Sequence, residues 1–491
     1  MNSRCVAPSV GLLFSALLLA QSSLAVTPPA NFMPAVVYPT GGTTAKAVAV
    51  ADVNGDNKPD LVVATACVDS NCATGTIGLL LGNGNGTFQP AIVLSSGGAG
   101  AIAVAIADVN HDTKLDLVVA NACVTAANCT DGTIGVLLGN GNGTFQSAVS
   151  YSTGGSVYGM ALADVNGDGK LDAVVGTVNG VGSLLSNDDG TFQSAVISAT
   201  GGYGALAVGD LNGDGTPDAV VIISPGSTFH PRVNGEIGVS FGNGNGTFKA
   251  PLILDAIAFF PDGLAIGDIN HNGLPDILIS NYVGRINATS GSVGLWYGDG
   301  HGGFGPGVEV RVGGVHAYAV TARDVNGDGI DDMVVAERGN TSVVLTNGET
   351  RHHSVPVAGA TAIADVNGDG QPDLVVASTC GYTCSGAGVA VLISKAAATK
   401  TTVTTSGSPS QFNSPVTFTA TITSTRGPIA DGVTVTFFDG TKQIGTGTTS
   451  QGAATFTTSS LKAGTHTIKA RFPGYPFFKP SSGTVTQVVN P

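Results

Sequence analysis

Apolar and polar positions fall into blocks along this chain, and the same block order returns seven times. A short apolar run is followed by a nine-residue acidic loop, a β-branched run, a small-residue run and a glycine-rich turn. The third copy is the clearest. It reads Tyr158–Ala163, the loop Asp164–Asp172, then Ala173–Thr177, Gly182–Leu185, a turn, and Thr191–Ile197. Short apolar runs bounded by Gly, Asn and Asp read as strands. Four such strands joined by tight turns predict one blade of a β-propeller.

The acidic loops set the period. They have the form Asp-x-Asn-x-Asp/Asn-x-x-x-Asp and start at Asp52, Asp108, Asp164, Asp210, Asp268, Asp324 and Asp365. Steps of 56, 56, 46, 58, 56 and 41 residues signal a repeat array. A second motif, Gly-Asn-Gly-Asn-Gly-Thr-Phe, recurs at Gly82–Phe88, Gly139–Phe145 and Gly242–Phe248. Its Asn-Gly pairs supply the positive φ that tight hairpins need. No helix pattern follows it, so it is not a nucleotide-binding loop. The last repeat stops after Val389–Ile393, and Phe32–Tyr38 looks like an orphan fourth strand. The two are expected to pair and close the ring.

Oxygen side chains at loop positions 1, 3, 5 and 9, with a main-chain carbonyl at position 7, make a calcium-ligand layout. Loop one offers Asp52, Asn54, Asp56 and Asp60 with the carbonyl of Lys58. Loop two offers Asp108, Asn110, Asp112 and Asp116 with Lys114, and loop three Asp164, Asn166, Asp168 and Asp172 with Lys170. Loop four has Asp210, Asn212, Asp214 and Asp218 with Thr216, and loop five Asp268, Asn270, Asn272 and Asp276 with Leu274. Loop six has Asp324, Asn326, Asp328 and Asp332 with Ile330, and loop seven Asp365, Asn367, Asp369 and Asp373 with Gln371. An EF-hand would need Glu at position 12, where all seven copies carry Val or Ile, as at Val63 and Ile279. The loops therefore join strands, and the Asp at position 9 is expected to close each site. The competing reading is that Asp and Asn only make turns. Up to seven Ca2+ are expected. Loop five, with Asn272, and loop two, with Thr113 where φ should be positive, are expected to bind most weakly.

Composition narrows the class. Glycine numbers 72, charged residues are 11% and net charge is −14, so a basic nucleic-acid-binding face is excluded. Arg4, the apolar stretch Val10–Ala20 and Ser23-Leu24-Ala25 read as a leader cleaved after Ala25, which predicts export and a secreted or surface location. No later segment is apolar enough to span a membrane. The remaining cysteines lie in near pairs, Cys67 with Cys72, Cys123 with Cys129 and Cys380 with Cys384, and in an exported chain these are expected to be disulfides.

The Gly-Asn-Gly-Thr-Phe turns beside Asp-x-Asn-x-Asp-Gly-x-x-Asp loops resemble the FG-GAP or VCBS repeat. The resemblance covers about residues 32–393, within a domain assigned to residues 26–393, and implies a seven-bladed propeller, as in integrin α-subunits, with calcium in the hairpin loops. Ser394–Thr402 reads as a linker. Residues 403–491 are Thr-rich with period-2 alternation, as in Val416–Ile422 and Val433–Phe437, and predict an Ig-like sandwich of about seven strands. Phe438-Asp439-Gly440-Thr441 and Leu461–His466 are similar to bacterial Ig-like repeats, which imply a spacer or adhesion role. The fold class is thus all-β: a seven-bladed β-propeller followed by an Ig-like β-sandwich.

No nucleophile elbow occurs, and the histidines have no metal spacing. His111 and His271 at loop position 4 are expected to face solvent, and His352-His353 to be surface residues. A carboxylate pair outside the loops, drawn from residues such as Asp262, Glu309 and Glu337, would be needed for glycosidase chemistry. Calcium loops and glycine turns fall on one face of the ring. The other face collects the long insertions and Tyr158, Tyr203, Arg232, Phe259, Phe260, Tyr282, Arg285, His316 and Tyr318. Aromatics with Arg are typical anchors, although several could simply plug the central channel. The expectation is a calcium-binding adhesion or ligand-binding module for an extracellular protein or glycan. A polysaccharide lyase or hydrolase and a component of a surface assembly are the alternatives.

Overall fold

A computed structural model of the chain describes residues 32–67, 74–199, 204–224, 235–283, 290–346, 348–355, 358–378, 387–424, 429, 431–475 and 478–491. The leader, Cys72, Cys380, Cys384, Tyr203, Arg232 and Arg285 lie outside the described residues. Every regular element among the described residues is a β-strand.

Seven four-stranded antiparallel sheets follow one another. Their innermost strands are Ala45–Ala51, Ala99–Ala107, Val157–Ala163, Leu206–Gly209, Phe259–Gly267, Ala317–Arg323 and Ala358–Ala364. Each inner strand packs beside the next, and the seventh returns to the first, which closes the ring. Each second strand begins on the position-9 aspartate, from Asp60 to Asp373. The acidic loops therefore join adjacent strands, as the apolar residues at position 12 require.

Second and third strands are buried on both sides because blades stack face to face. Val62, Ala64, Ile77 and Leu79 of the first blade pack against Leu117, Val119 and Leu137 of the second. Five of the seven third strands carry a mid-strand glycine, and at Gly78, Gly135 and Gly294 the preceding connection crosses there. A Cβ on Gly78 would collide with the Thr40 carbonyl. The fourth strand starts later than Thr191: Phe192 makes only an isolated bridge to Ser186, and the strand is Val196–Ala199. The turn phenylalanines instead fill the seams between blades, and Tyr38 meets Phe88 edge-on at 5.4 Å.

The N-terminal segment supplies the missing strand of blade seven. Val36–Pro39 pairs antiparallel with Gly388–Val391, and Phe32 bridges Ser394. His353 is not a simple surface residue, since its ring packs edge-on against Phe32 at 5.3 Å.

The C-terminal unit is a sandwich of a three-stranded and a five-stranded sheet. Its core gathers Phe418, Phe437, Ile468 and Phe472, the inward residues of alternating strands. Among the described residues it has eight strands, one more than the alternation suggests. The extra one is the two-residue Ser410–Gln411, which runs parallel to the last strand.

Candidate functional site: acidic loops and channel mouth

All seven position-9 aspartates are fully buried. Their role is chiefly to tie backbone together. Asp172 Oδ2 accepts from Val165 N at 3.1 Å, and its Oδ1 accepts from Ser186 N at 2.8 Å, at the end of the third strand. Asp60 does the same with Val53 N and Gly82 N, and Asp116, Asp218, Asp276 and Asp373 repeat both bonds. This fixes loop, second strand and third strand at one point. The sequence reading gave this residue only a ligand role. Asp172→Ala leaves two buried N–H groups unsatisfied, each charge-assisted bond being worth about 1.5–3 kcal/mol. Measured in chelator, to exclude any metal effect, its stability should fall by about 3 kcal/mol. Asp172→Asn, which keeps one acceptor, should lose about half of that.

The other loop oxygens are gathered by the same kind of turn. Asp52 Oδ2 accepts from Asn57 N at 2.7 Å. Asp56 N lies 3.2 Å from Asp52 Oδ1 and 2.9 Å from Asn54 Oδ1, which draws those two oxygens together. Positions 4 and 6 sit in left-handed backbone throughout, including His111 at φ 57°, Thr113 at 67° and His271 at 55°. His111 is exposed but meets Asp188 of the next blade at 3.1 Å. A β-branched residue pays about 1–2 kcal/mol in this region. Thr113→Gly should therefore raise stability by about 1 kcal/mol in calorimetry, once glycine's entropy is offset.

The donor set tests whether a hard cation fits. Burial raises the Asp60 carboxyl, its main-chain hydrogen bonds oppose this, and the charges of Asp52 and Asp56 raise it further. In loop six the same causes push Asp332 up to about 8, and in loop seven Asp373 goes to about 6. Clustered carboxylate and amide oxygens that repel one another suit a hard divalent ion. Among the described residues no three His, Cys, Asp or Glu side chains alone are arranged to hold a metal. A loop site must therefore also use the Asn at position 3 and main-chain carbonyls. The loops differ in their own counter-charge. Lys58 lies 3.0 Å from Asp56, Lys114 3.1 Å from Asp112, and Lys170 3.6 Å from Asp168. Loops six and seven have Ile330 and Gln371 there, and burial raises Asp328 and Asp369.

Glycine turns lie on the acidic-loop face. Gly86 N of blade one donates to Val366 O of loop seven at 3.2 Å, and Gly246 N of blade four to Val165 O of loop three at 2.9 Å.

The opposite end of the ring opens on a cavity of 670 Å³, lined by the inner strands. Six of those strands carry a β-bulge near their start. Bulges re-aim side chains at rims and sites. The bulged residues are Lys46, Ile102, Tyr158, Asp262, Tyr318 and the pair Gly359-Ala360, and all of them line the cavity. The chemistry changes from blade to blade here, whereas the core positions repeat. Crowding by the channel walls pushes the Asp262 carboxyl up to about 6, although the Lys46 ammonium lowers it. The rim between blades five and six gathers aromatics. Tyr282 stacks on His316 at 3.7 Å and meets Tyr318 edge-on at 5.8 Å. Phe260 and His316 hold left-handed backbone at φ 55° and 56°, strain of a kind that concentrates at functional sites. Thus Tyr282, His316 and Tyr318 form one cluster. Tyr158 stands apart on blade three, and Phe259 and Phe260 begin the inner strand of blade five and are not part of the cavity lining. Lys46 and Asp262 complete the ring. They were not singled out from sequence as ligand residues, because an isolated charge in an apolar strand carries no pattern.

Glu337 is not part of an open carboxylate pair. It is fully buried, accepts from Gly314 N at 3.0 Å and from Ser342 Oγ, and Ser342 Oγ lies 2.7 Å from His352 Nδ1. Burial raises its carboxyl to about 7, against the two hydrogen bonds. A folded-state value above the unfolded one means the fold binds an extra proton, so this group's contribution weakens as pH climbs from about 4.5 to 7. Glu337→Gln should raise the melting temperature at pH 8 relative to the parent, with a smaller difference at pH 5.

Cys123 and Cys129 form a disulfide, and Cys67 is also disulfide-bonded. No helix among the described residues is long and apolar enough to cross a membrane.

Seven blades, each with an acidic loop between its first two strands, define an all-β repeat propeller with a sandwich behind it. The chain belongs to the FG-GAP repeat proteins. The FG-GAP-like repeat profile matches residues 52–119, 123–175, 164–221 and 324–376, and the FG-GAP repeat profile matches 202–247. The bacterial Ig-like domain (group 3) profile matches residues 402–490. No curated protein matches the chain. Among solved structures it is similar to an Agrocybe aegerita lectin that recognises non-reducing terminal N-acetylglucosamine, with 18% identity over 66% of this chain and 90% of that one and a TM-score of 0.44. It is also similar to the V. cholerae biofilm matrix protein Bap1, with 16% identity, 75% and 91% coverage and a TM-score of 0.39. A third is the extracellular domain of the putative one component system BT4673 from B. thetaiotaomicron, with 8% identity, 95% and 59% coverage and a TM-score of 0.42.

Proposed function

We propose that the chain is an exported, calcium-dependent binding or adhesion module. It holds an extracellular glycan or protein at the channel mouth, and the Ig-like unit acts as spacer. The carrying observation is the rim cluster of Tyr282, His316 and Tyr318 beside the bulged ring, on the face away from the acidic loops. Aromatic faces on a rigid scaffold bury large area at low entropic cost. The loops' oxygens, Asp52, Asn54 and Asp56 in blade one and their counterparts, would hold the calcium. The bound ion would neutralise carboxylates that otherwise repel. Glycan and extracellular-protein arrays probed in calcium test this. Tyr282→Ala and Tyr318→Ala should cut the signal at least tenfold without changing the melting temperature. Signal indifferent to both substitutions would overturn the assignment of the face.

A further inference from the structure

The seam between blades five and six sets uncompensated positive charge beside aromatic rings. Every described arginine of the propeller, Arg311, Arg323, Arg338 and Arg351, belongs to these two blades. Arg338 follows the second strand of blade six, Asp332–Glu337. Its backbone N lies 3.0 Å from Val315 O and 3.3 Å from His316 O. Arg338 and His316 therefore share one point on the rim. Tyr282 of blade five stacks on that His316 at 3.7 Å, and Tyr318 meets Tyr282 edge-on at 5.8 Å. Arg311 ends the outer strand of blade five at the same end of the ring, opposite Ser292.

The charge at this point belongs to Arg338. Burial, and then the Arg338 charge, hold the His316 imidazole below its ordinary value, so it carries no charge near neutral pH. Burial and Tyr282 hold the Tyr318 hydroxyl above its own, and Arg338 opposes this more strongly than Asp262 adds to it. The adjacent Glu337 does not compensate Arg338, because it is buried and occupied by Gly314 N and Ser342 Oγ. The guanidinium is exposed and has no hydrogen bond or ion pair among the described residues. The Tyr282 and Tyr318 hydroxyls have no hydrogen-bond partner among them either.

Each part selects a chemistry. A free guanidinium fork matches a carboxylate through two parallel bonds. Tyrosine rings offer an apolar body to the C–H face of a sugar, and their free hydroxyls can bond its hydroxyls. We infer that the rim between blades five and six binds an acidic glycan, with a uronic-acid carboxylate on Arg338 and the sugar ring against Tyr282 and Tyr318. This rests on the reading of that rim as the ligand face and names the class of glycan.

Isothermal titration of the full chain in calcium, with trigalacturonate, trimannuronate and a hyaluronan tetrasaccharide as probes, tests it. At least one should bind at one per chain, and its methyl ester should bind at least tenfold more weakly. Arg338→Gln should weaken the acid at least tenfold with unchanged melting and abolish the preference over the ester. No heat from any acidic probe, or equal binding of acid and ester, would overturn the proposal. Equal binding of tri-L-glutamate would overturn it too, in favour of an acidic protein segment. The ester and peptide comparisons decide the matter even if a variant misfolds. Neutral glycans that bind through Tyr282 and Tyr318, with no preference for the acid, sink this inference alone. Acidic sugars whose binding is indifferent to Tyr282→Ala, Tyr318→Ala and Arg338→Gln bind elsewhere and sink both readings.

Discussion

Removing calcium is expected to lower the melting temperature of the propeller by more than about 10 °C. Twenty aspartates occupy positions 1, 5 and 9 of the seven loops. Net charge is −14 for the whole chain. The position-9 carboxyls feel their neighbours: Asp52 and Asp56 raise Asp60, and Asp324 and Asp328 raise Asp332. A ligand held only by the folded state adds about 2.7 kcal/mol per site at a hundredfold excess over its Kd. A few such sites exceed the required shift, since about 1 kcal/mol moves a large domain by roughly 2 °C. Calorimetry in calcium and in chelator measures it. Part of the loop architecture should survive chelation, because Asp172 and its counterparts hold backbone N–H groups with or without a metal.

The second large effect is expected from deleting residues 32–39. That segment is the outer strand of blade seven, paired from Val36–Val391 to Pro39–Gly388. Its Tyr38 seals the seam to blade one against Phe88, and Phe32 lies in the core between blades six and seven. Without it, Gly388–Leu392 becomes an open edge, and closed folds exist to avoid such edges. Losing one buried phenylalanine alone costs about 3–5 kcal/mol. The deletion variant should melt at least about 10 °C lower, or aggregate. An unchanged melt would mean that the ring does not need this strand.

Much of the fold was legible because backbone geometry selects particular residues. Positive φ at loop positions 4 and 6 and in the Gly82–Phe88 turn selects glycine and asparagine, and their spacing marks the hairpins. The β-branched residues after each loop mark the buried second strand. Ring closure was legible because Phe32–Tyr38 repeats the pattern of a fourth strand. The bulges were not, because one extra residue in an inner strand such as Ala45–Ala51 leaves no trace in a short apolar run. The channel residue Lys46 was missed for that reason, and Asp262 was read only as a candidate for a carboxylate pair. Glu337 was misplaced among open carboxylates, since its burial depends on Ser342 and Gly314, brought to it by other strands. The aromatic cluster was named residue by residue, but only the fold distinguishes Tyr282, His316 and Tyr318, which touch, from Tyr158, across the channel.

Equilibrium dialysis with radioactive calcium, counting ions bound per folded chain, addresses the central claim most directly. Several ions per chain, approaching seven at saturation with loops two and five filling last, are expected. No calcium retained at millimolar concentration would contradict the account and leave the acidic loops as backbone ties alone.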